Sequence, residues 1–242
     1  MSEPRPTLAG ATSLSRKSLS DSVYETMIES LASGHLKGST ELNEVTLAQE
    51  LNVSRTPIHE AITRLVAEGI VEQGLNRKFR VREFTPADLA KVYEMRKCLE
   101  SMAVAQAAAQ MPREELAALR SEAKALAAAS NDAHWGQRAA EFHRRVVEAI
   151  AAGTGNIWLE RDVARYQVLD RSFGRRAEGL AGLRQTLREH AELLKVLDAL
   201  EARDAVKAQQ KMTAFVEARE KAVLKELSQI ESQPKSEGKA GS

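Results

Sequence analysis

The sequence predicts a mainly α-helical protein with two folded domains of different character. Aromatic residues make up 4% of the 242 residues, while Ala and Leu recur throughout, and this bias favours helices over sheets. Residues 87–227 keep the helical spacing of apolar side chains almost without a break. Residues 18–83 combine short helical patterns with one alternating, β-like stretch. Since a chain of this length has room for two ordinary domains, we place a boundary between these segments, with residues 84–86 as a short linker.

The charge and the cysteine content limit the possible partners and location. The chain has 35 basic and 34 acidic residues and a net charge of +1, so any binding to nucleic acid has to come from a local basic patch. Cys98 is the only cysteine, which suits the reducing cytoplasm, and we expect it to lie in the core. No apolar run reaches the ~18–20 residues of a membrane span, and the N-terminus lacks the apolar core of a signal peptide. We therefore expect a cytoplasmic protein with no membrane partner.

The two ends of the chain have the composition of unstructured segments. Residues 1–17 are rich in Pro, Ser, Thr and Gly and are predicted to form a flexible arm. Residues 228–242, SQIESQPKSEGKAGS, are predicted to form a disordered tail.

The N-terminal domain, residues 18–83, is predicted to contain three helices followed by a hairpin. The helices lie at about residues 23–33, 45–51 and 55–68. Ser54 is a good N-cap for the third helix, and Gly69 ends it. Alternating apolar and charged residues at 79–83 predict a half-buried strand, with a partner strand at 70–72. This order of elements is that of a winged helix-turn-helix.

The third helix and the hairpin, or wing, carry side chains suited to DNA. In a helix-turn-helix, the second helix of the pair presents its first residues to the major groove. Here these residues are Ser54, Arg55, Thr56 and His59. Arg donates bidentately to guanine, whereas Ser and Thr hydroxyls suit phosphate. The wing adds a local basic patch of Arg77, Lys78, Arg80 and Arg82. The alternative is a winged-helix module that binds protein and has a solvated basic hairpin.

The run Leu47–Glu72, LAQELNVSRTPIHEAITRLVAEGIVE, resembles the DNA-binding segment of the GntR superfamily of bacterial transcription regulators. The resemblance implies phosphate contacts for Ser54 and Thr56 and base readout by Arg55. The further candidate DNA contacts are His59, Arg64, Asn76, Arg77 and Lys78. His59 stands where the family usually has a second base-reading Arg, and Lys78 replaces the usual Gly at the wing tip. Base preference at the His59 position and minor-groove approach by the wing therefore stay open.

The C-terminal domain, residues 87–227, is predicted to be an antiparallel all-α bundle of about six helices. The first helix begins at Thr85 or Pro86, the second follows Pro112, and the others lie at about residues 135–151, 156–175, 183–201 and 204–227. Three stretches resemble the FCD ligand-binding domain of FadR-type GntR regulators: Val92–Ala108, Glu141–Asn156 and Arg188–Ala208. Together the two resemblances cover about residues 19–227 and imply a domain for ligand binding and dimerisation.

His143 and His190 fall on the apolar faces of two bundle helices, where facing imidazoles can share a divalent metal. Many FCD domains are understood to bind a metal through one Asp and three His. By position, two of those four ligands are Ala139 and Phe215 in this chain, and neither can coordinate a metal. We therefore expect no required cofactor, and a Zn²⁺ ion would depend on His143 and His190. We favour a second interpretation, in which these histidines hydrogen-bond each other, water or a ligand.

Arg96 lies on the apolar face of the first bundle helix, where an unpaired charge is costly. One explanation is a salt bridge with Glu100 or Glu141. The other is a clamp for a carboxylate effector, which the planar fork of Arg suits, and related FCD regulators commonly sense small organic acids. The candidate effector site consists of Arg96, His143, His190, Tyr166 and Arg171.

Two hypotheses of different classes remain. The first is a ligand-responsive DNA-binding regulator, as a rule a repressor in this family, and not an enzyme. It would bind a palindromic operator as a homodimer, because one small domain offers too few base contacts, and it would sense a small organic acid or related metabolite. The second is a helical metal-binding or enzymatic module with a vestigial DNA-binding domain. The second needs a complete set of ligands or acid–base groups, which Ala139 and Phe215 argue against.

Overall fold

A computed structural model of the chain describes residues 18–74, 78–130, 132, 134–173 and 179–231. Across these residues the chain forms nine helices and three short strands. The helices are α1 (Leu19–Ala32), α2 (Glu44–Glu50), α3 (Arg55–Glu68), α4 (Pro86–Gln110), α5 (Arg113–Ala128), α6 (Trp135–Ala152), α7 (Ile157–Phe173), α8 (Gly179–Glu201) and α9 (Ala205–Glu231). The strands are β1 (Glu41–Leu42), β2 (Val71–Gln73) and β3 (Phe79–Val81). The predicted arm 1–17, most of the predicted tail, and the candidate DNA contacts Asn76 and Arg77 lie outside the described residues.

The core of the N-terminal domain forms where α1 packs against α3. Apolar residues repeat at helical spacing on both helices, so each helix buries one face. Tyr24 and Ile28 of α1 and Ile58, Ile62 and Leu65 of α3 belong to one buried cluster. Full burial of an aliphatic side chain of this size contributes about 1.5–3 kcal/mol. The opposite face of α3 is exposed to solvent and is therefore accessible to a ligand.

Two residues with a left-handed backbone set the limits of α3. Asn52 has φ 51° in the turn after α2, a conformation that Asn tolerates better than most residues because its side chain can hydrogen-bond locally. Gly69 has φ 79° at the C-cap, where the absence of a Cβ removes the steric cost. The turn at Asn52 leaves Ser54, Arg55 and Thr56 exposed at the start of α3.

The wing is a three-stranded antiparallel sheet with the order β1-β3-β2, and not the two-stranded ribbon that the sequence predicts. β1 adds Glu41 opposite Arg80 and Leu42 opposite Phe79. Two residues are too few to show a period in the sequence, so this strand was missed. Its pairing brings the segment that precedes α2 against the wing, beside the start of α3.

The six helices α4–α9 form the C-terminal domain, and the predicted fold class, a winged helix-turn-helix followed by an all-α bundle, is confirmed. α9, the longest helix of the bundle, packs along both α4 and α8. The buried cluster of this domain is separate from that of the N-terminal domain. α7 packs against α4 and also against α1, so it lies between the two domains.

The linker is ordered by hydrogen bonds at the start of α4. Thr85 Oγ1 accepts from the backbone N–H of Asp88 at 3.1 Å, and Asp88 Oδ2 accepts from the backbone N–H of Thr85 at 3.1 Å. Pro86 takes a first-turn position, where its lack of an N–H is harmless. Phe84 packs against the buried clusters of both domains. The connection is therefore held on both sides of Thr85.

Two expectations about the C-terminal domain were wrong. α9 continues to Glu231, so residues 228–231 are helical and are not part of a disordered tail. Cys98 is exposed and not in the core. The inward positions of α4 are taken by Arg96 and Glu100, and Cys98, midway between them in sequence, falls on the opposite side of the helix.

We expect Thr85→Ala to lower the free energy of unfolding of the C-terminal domain by about 1 kcal/mol, because it removes one half of the capping box. Both tryptophans, Trp135 and Trp158, lie in this domain, so urea denaturation followed by tryptophan fluorescence reports on it. Thr85→Ser keeps the hydroxyl and is expected to match the wild type. A Thr85→Ala variant as stable as Thr85→Ser would contradict the role of the cap.

Candidate nucleic-acid interface and buried polar cluster

The start of α3 presents polar side chains that are not used by the fold. Ser54 occupies the N-cap position, but its side chain makes no capping hydrogen bond. Its hydroxyl and that of Thr56, which is also exposed, are placed beside the free N–H groups of the first helical turn. Such a turn favours anions because its N–H groups and the helix dipole point outward. The geometry suits a DNA phosphate.

Arg55 and His59 lie one helical turn apart on the same exposed face of α3, and Glu44 joins them. Arg55 Nη2 is 3.2 Å from Glu44 Oε2, and His59 Nδ1 is 2.7 Å from Glu44 Oε1. The hydrogen bond from His59 is the main reason that the pKa of Glu44 lies below its usual range. Partial burial opposes this shift, and the hydrogen bond from Arg55 adds to it. Glu44 is therefore ionised and holds both side chains in place.

The described part of the wing lies beside these residues. Lys78 Nζ is 2.9 Å from Glu41 Oε1, across β1 and β3. The ring of Phe79 meets the ring of His59 edge-on, with 6.3 Å between centroids. These side chains, with Arg55 and Glu44, line an open depression of about 500 Å³ between α2, α3 and the sheet. Of the candidate DNA contacts, the structure thus brings together Arg55, His59 and Lys78 at one depression.

Arg64 has a different environment from the other candidate DNA contacts. It lies roughly 13 Å further along α3 than Arg55, at 1.5 Å per residue. Its guanidinium stacks 3.7 Å from the centroid of the Tyr24 ring and pairs with Asp21 and Glu68. These contacts join α3 to α1. The structure therefore gives Arg64 a role within the domain, apart from the depression.

The C-terminal domain contains a buried polar cluster that joins three helices: Tyr93, Arg96 and Glu100 of α4, Asp170 of α7 and Arg219 of α9. Arg96 Nε donates to Glu100 Oε1 at 2.8 Å, and Arg96 Nη1 lies 3.3 Å from Asp170 Oδ2. The Tyr93 hydroxyl donates to Asp170 Oδ1, and Arg219 Nε lies 3.4 Å from the same oxygen. The predicted salt bridge of Arg96 with Glu100 is thus present, whereas Glu141 pairs with Arg144 on the surface of α6.

Burial and charge balance set the protonation of this cluster. Glu189 of α8 adjoins the cluster, with its Oε1 4.0 Å from Arg219 Nη1. With it, three carboxyl groups accompany two guanidinium groups. Burial raises the pKa of Glu100 above its usual range, although the guanidinium of Arg96 opposes the shift. Burial and the charge of Asp170 likewise raise the pKa of Tyr93, which keeps its proton. Glu100 Oε2 makes no hydrogen bond among the described residues.

His143 and His190 meet between α6 and α8 as a stacked, hydrogen-bonded pair. His143 Nε2 is 3.1 Å from His190 Nδ1, and the rings are 18° from parallel. His190 Nε2 donates to the carbonyl oxygen of Ala123 at 2.9 Å. Burial lowers the pKa of His190, against the effect of this backbone hydrogen bond, so the ring is neutral and its Nδ1 accepts from His143.

The donors around this pair do not fit a tightly held metal ion. A structural zinc site usually has four protein ligands. Phe215 places its ring 5.8 Å from that of His143, and the buried Ala139 lies one helical turn before His143 on α6. Within the described residues, no group of three or more His, Cys, Asp or Glu side chains could hold a metal.

Tyr166 and Arg171, two of the predicted effector-site residues, contact the N-terminal domain in the structure. Arg171 Nη2 donates to Glu25 Oε2 of α1 at 2.9 Å, and Tyr166 packs against the core of the N-terminal domain. Arg165 Nε, on the same helix, donates to the carbonyl oxygen of Glu68 at 3.3 Å. The sequence shows one helix, but it does not show that α7 lies between two domains and presents these residues to α1 and α3.

Two side chains that join these groups, Glu44 and Asp170, were not identified from the sequence. Asp170 left a signal, because an acidic residue next to Leu169 on a helix with apolar spacing needs a buried partner. Glu44 left none, since an acidic residue in the first turn of a helix is common for reasons of helix dipole alone.

Both domains have counterparts among known proteins. Residues 19–81 match the model of the bacterial regulatory proteins of the gntR family, and residues 91–218, more than half of the chain, match that of the FCD domain. An HTH-type transcriptional regulator of Agrobacterium vitis is 30% identical over 155 residues, which cover 62% of this chain and 90% of that protein. The Nta operon transcriptional regulator of Aminobacter aminovorans is 40% identical over 86 residues, which cover 36% of this chain and 41% of that protein.

A solved structure has the same fold. The structure of McbR/YncC of E. coli has a TM-score of 0.73 at 23% identity and is covered over 99% of its length by 87% of this chain. No helix in the described part of the chain is long and apolar enough to cross a membrane.

Because both family models match, the chain belongs to the GntR family of bacterial transcriptional regulators, in the group that carries an FCD domain after the winged helix-turn-helix.

Proposed function

We propose that the chain is a repressor that binds a palindromic operator as a homodimer and is released by a small organic acid sensed in the C-terminal domain. The observation that carries the DNA-binding part is the start of α3, where Ser54 and Thr56 are free for phosphate and Arg55 is 67% exposed. Arg55 and Lys78 are both held by carboxylates of the same domain. They are thus positioned before DNA arrives, which limits the conformational entropy lost on binding.

The proposed dimer is supported by an apolar stripe on α4. Met95 and Met102 are 41% and 40% exposed, and the exposed Cys98 lies between them. Positions three and four apart on a helix share a face, so the three side chains form one continuous strip. A second copy of the chain would cover this strip and place two N-terminal domains on the two halves of a palindrome.

Sensing is proposed to involve Arg96, but not as a free clamp. Both carboxylates that neutralise Arg96 come from the protein, Glu100 and Asp170. A carboxylate effector would have to replace one of them, and Glu100 is the better leaving partner because burial already favours its protonated form. Binding of an acid would then accompany uptake of a proton by Glu100.

α7 offers the path from this cluster to the N-terminal domain. Asp170 pairs with Arg96 and Arg219, and the next residue, Arg171, pairs with Glu25 of α1. A shift of α7 that follows a change at Asp170 would move the α1 contact as well. An effector acts only through its different affinity for two arrangements of the domains. α7 would couple the polar cluster to the N-terminal domain and so connect effector binding to those arrangements.

We expect Met95→Glu combined with Met102→Glu to make the protein monomeric at micromolar concentration, because two charges on each copy would be buried in the dimer. Sedimentation velocity measures the change. The control is Val206→Glu on α9, where the wild-type side chain is 67% exposed. A double variant that stays dimeric would contradict the proposed interface.

We expect Arg55→Ala to reduce operator affinity by about 1–3 kcal/mol and to relax the preference at one base of each half-site. Lys78→Ala should weaken binding to all sequences similarly, since a phosphate contact carries no base information. Fluorescence anisotropy with a selected operator and single-base variants separates the two effects. Equal behaviour of both variants would remove the distinction between base reader and phosphate contact.

We expect the affinity for an organic acid effector to rise as the pH falls, because the pKa of Glu100 is raised and its protonation releases Arg96. Glu100→Gln imitates the protonated side chain, so this variant should bind tightly at all pH values. A thermal-shift screen of mono- and dicarboxylates supplies the ligand, and isothermal titration between pH 6 and 8 measures it. Glu141→Gln, which changes a surface carboxylate of α6, is the control. If the effector affinity of Glu100→Gln changed with pH as that of the wild type does, Glu100 would be excluded from the site.

A further inference from the structure

His59 is an exposed side chain of α3 that has no base partner in the operator contacts proposed so far. It lies one helical turn after Arg55 and is 60% exposed, so it meets the same groove of a bound duplex. An Arg at this position would offer donors only. A histidine can offer a donor or an acceptor, and which one it offers depends on the tautomer of the ring.

Glu44 decides which tautomer is present. Its Oε1 lies 2.7 Å from His59 Nδ1, and an ionised carboxylate can only accept a hydrogen bond. Nδ1 therefore carries the proton. In a neutral imidazole with a proton on Nδ1, Nε2 is an acceptor. Within the part of the chain that the structure describes, His59 Nε2 makes no hydrogen bond, so its lone pair is available to a ligand.

Each carboxylate of the depression also has a cation of the same domain as a partner. Glu44 also accepts from Arg55 Nη2 at 3.2 Å, so its charge is already matched by a guanidinium. The second acid of the depression, Glu41, is matched by Lys78. The lone pair on His59 Nε2 exists only in the neutral ring, so its pairing with a base has to be tested at alkaline pH.

The orientation of the ring is fixed as well as its tautomer. Glu44 is 18% exposed and belongs to the first turn of α2, which Asn43 caps by accepting from Val45 N at 2.9 Å. The edge-on contact with Phe79 restrains the ring from the wing side. His59 is thus held between α2 and β3 with Nε2 as its unoccupied polar atom.

We propose that Glu44 positions His59 to accept a hydrogen bond through Nε2 from the exocyclic amino group of cytosine or adenine in the major groove. Cytosine N4 and adenine N6 are the donors that the base edges present in this groove, whereas guanine presents the acceptors N7 and O6. A lone pair on Nε2 would face those acceptors unfavourably. This position of the half-site therefore selects cytosine or adenine, whose amino groups lie in the major groove, and rejects guanine. The inference rests on the proposed function as an operator-binding protein.

The test is selection of DNA from a library of randomised half-sites at pH 8, followed by affinities for single-base variants of the enriched site. The wild type should enrich cytosine or adenine at one position, with guanine there binding about tenfold more weakly. His59→Arg should convert that same position to guanine. Arg55→Ala should leave it unchanged and relax a different position.

Glu44→Gln is the variant that isolates the positioning role. A glutamine amide can donate or accept, so both tautomers of His59 become available, and the preference at this one position should fall to about threefold or less. The control is Glu41→Gln, the same acid-to-amide change in the same depression at a residue that pairs with Lys78 instead of His59. It should leave the preference at the His59 position intact. Circular dichroism confirms that each variant is folded.

Three results would overturn the inference. Guanine at the His59 position in the wild type would do so, as would an undiminished preference in Glu44→Gln, or an equal loss in Glu41→Gln. If the wild type enriched no sequence at all, the proposed function itself would be wrong. An enriched palindrome with guanine at the His59 position would overturn the inference alone.

Discussion

Asp170 is the buried charge on which the arrangement of the C-terminal domain depends. Its carboxylate accepts from Tyr93 and pairs with Arg96 and Arg219, so one side chain of α7 ties together α4 and α9. A buried carboxylate without these partners would be costly, and removal of one member of such a set typically costs about 3–5 kcal/mol. Hydrophobic packing alone would tolerate several registers of three helices. The polar cluster fixes one of them.

The same helix determines how the N-terminal domain is attached. Leu169 is buried in the core of the N-terminal domain, and Arg171 and Arg165 bond to α1 and to the end of α3. The capped start of α4 and the double contact of Phe84 hold the domain at a second point. The position of α3 relative to the bundle is therefore set by two attachments, one at α7 and one at the start of α4. Both of these helices also contribute residues to the polar cluster.

Periodicity in the sequence predicted the helices and the two-domain order, because apolar residues repeated at helical spacing over ten or more residues indicate a helix whichever element packs against it. It predicted neither β1, which is two residues long, nor the exposure of Cys98, since several sides of an Ala-rich helix such as α4 look apolar. Glu100 could be named as one of two possible partners of Arg96 because the two residues are one helical turn apart on the same helix. The Glu44–His59 and Arg171–Glu25 pairs join separate elements, and a single sequence carries no sign of which distant elements meet.

The carboxylates beside Arg55 and Lys78 have a consequence for how an operator-binding protein with the proposed contacts would search a chromosome. Non-specific affinity for DNA comes mainly from protein cations that displace condensed counterions from the phosphates. In this depression Arg55 and Lys78 are accompanied by Glu44 and Glu41, so these four side chains together bring almost no net charge to a random duplex. Attachment to any sequence would then rest on phosphate contacts such as those proposed for Ser54, Thr56 and Lys78, whereas the hydrogen bonds of Arg55 form only when the base edge is correct. A depression with so little net charge adds little to the affinity for unrelated sequences, so a larger share of its binding energy is specific.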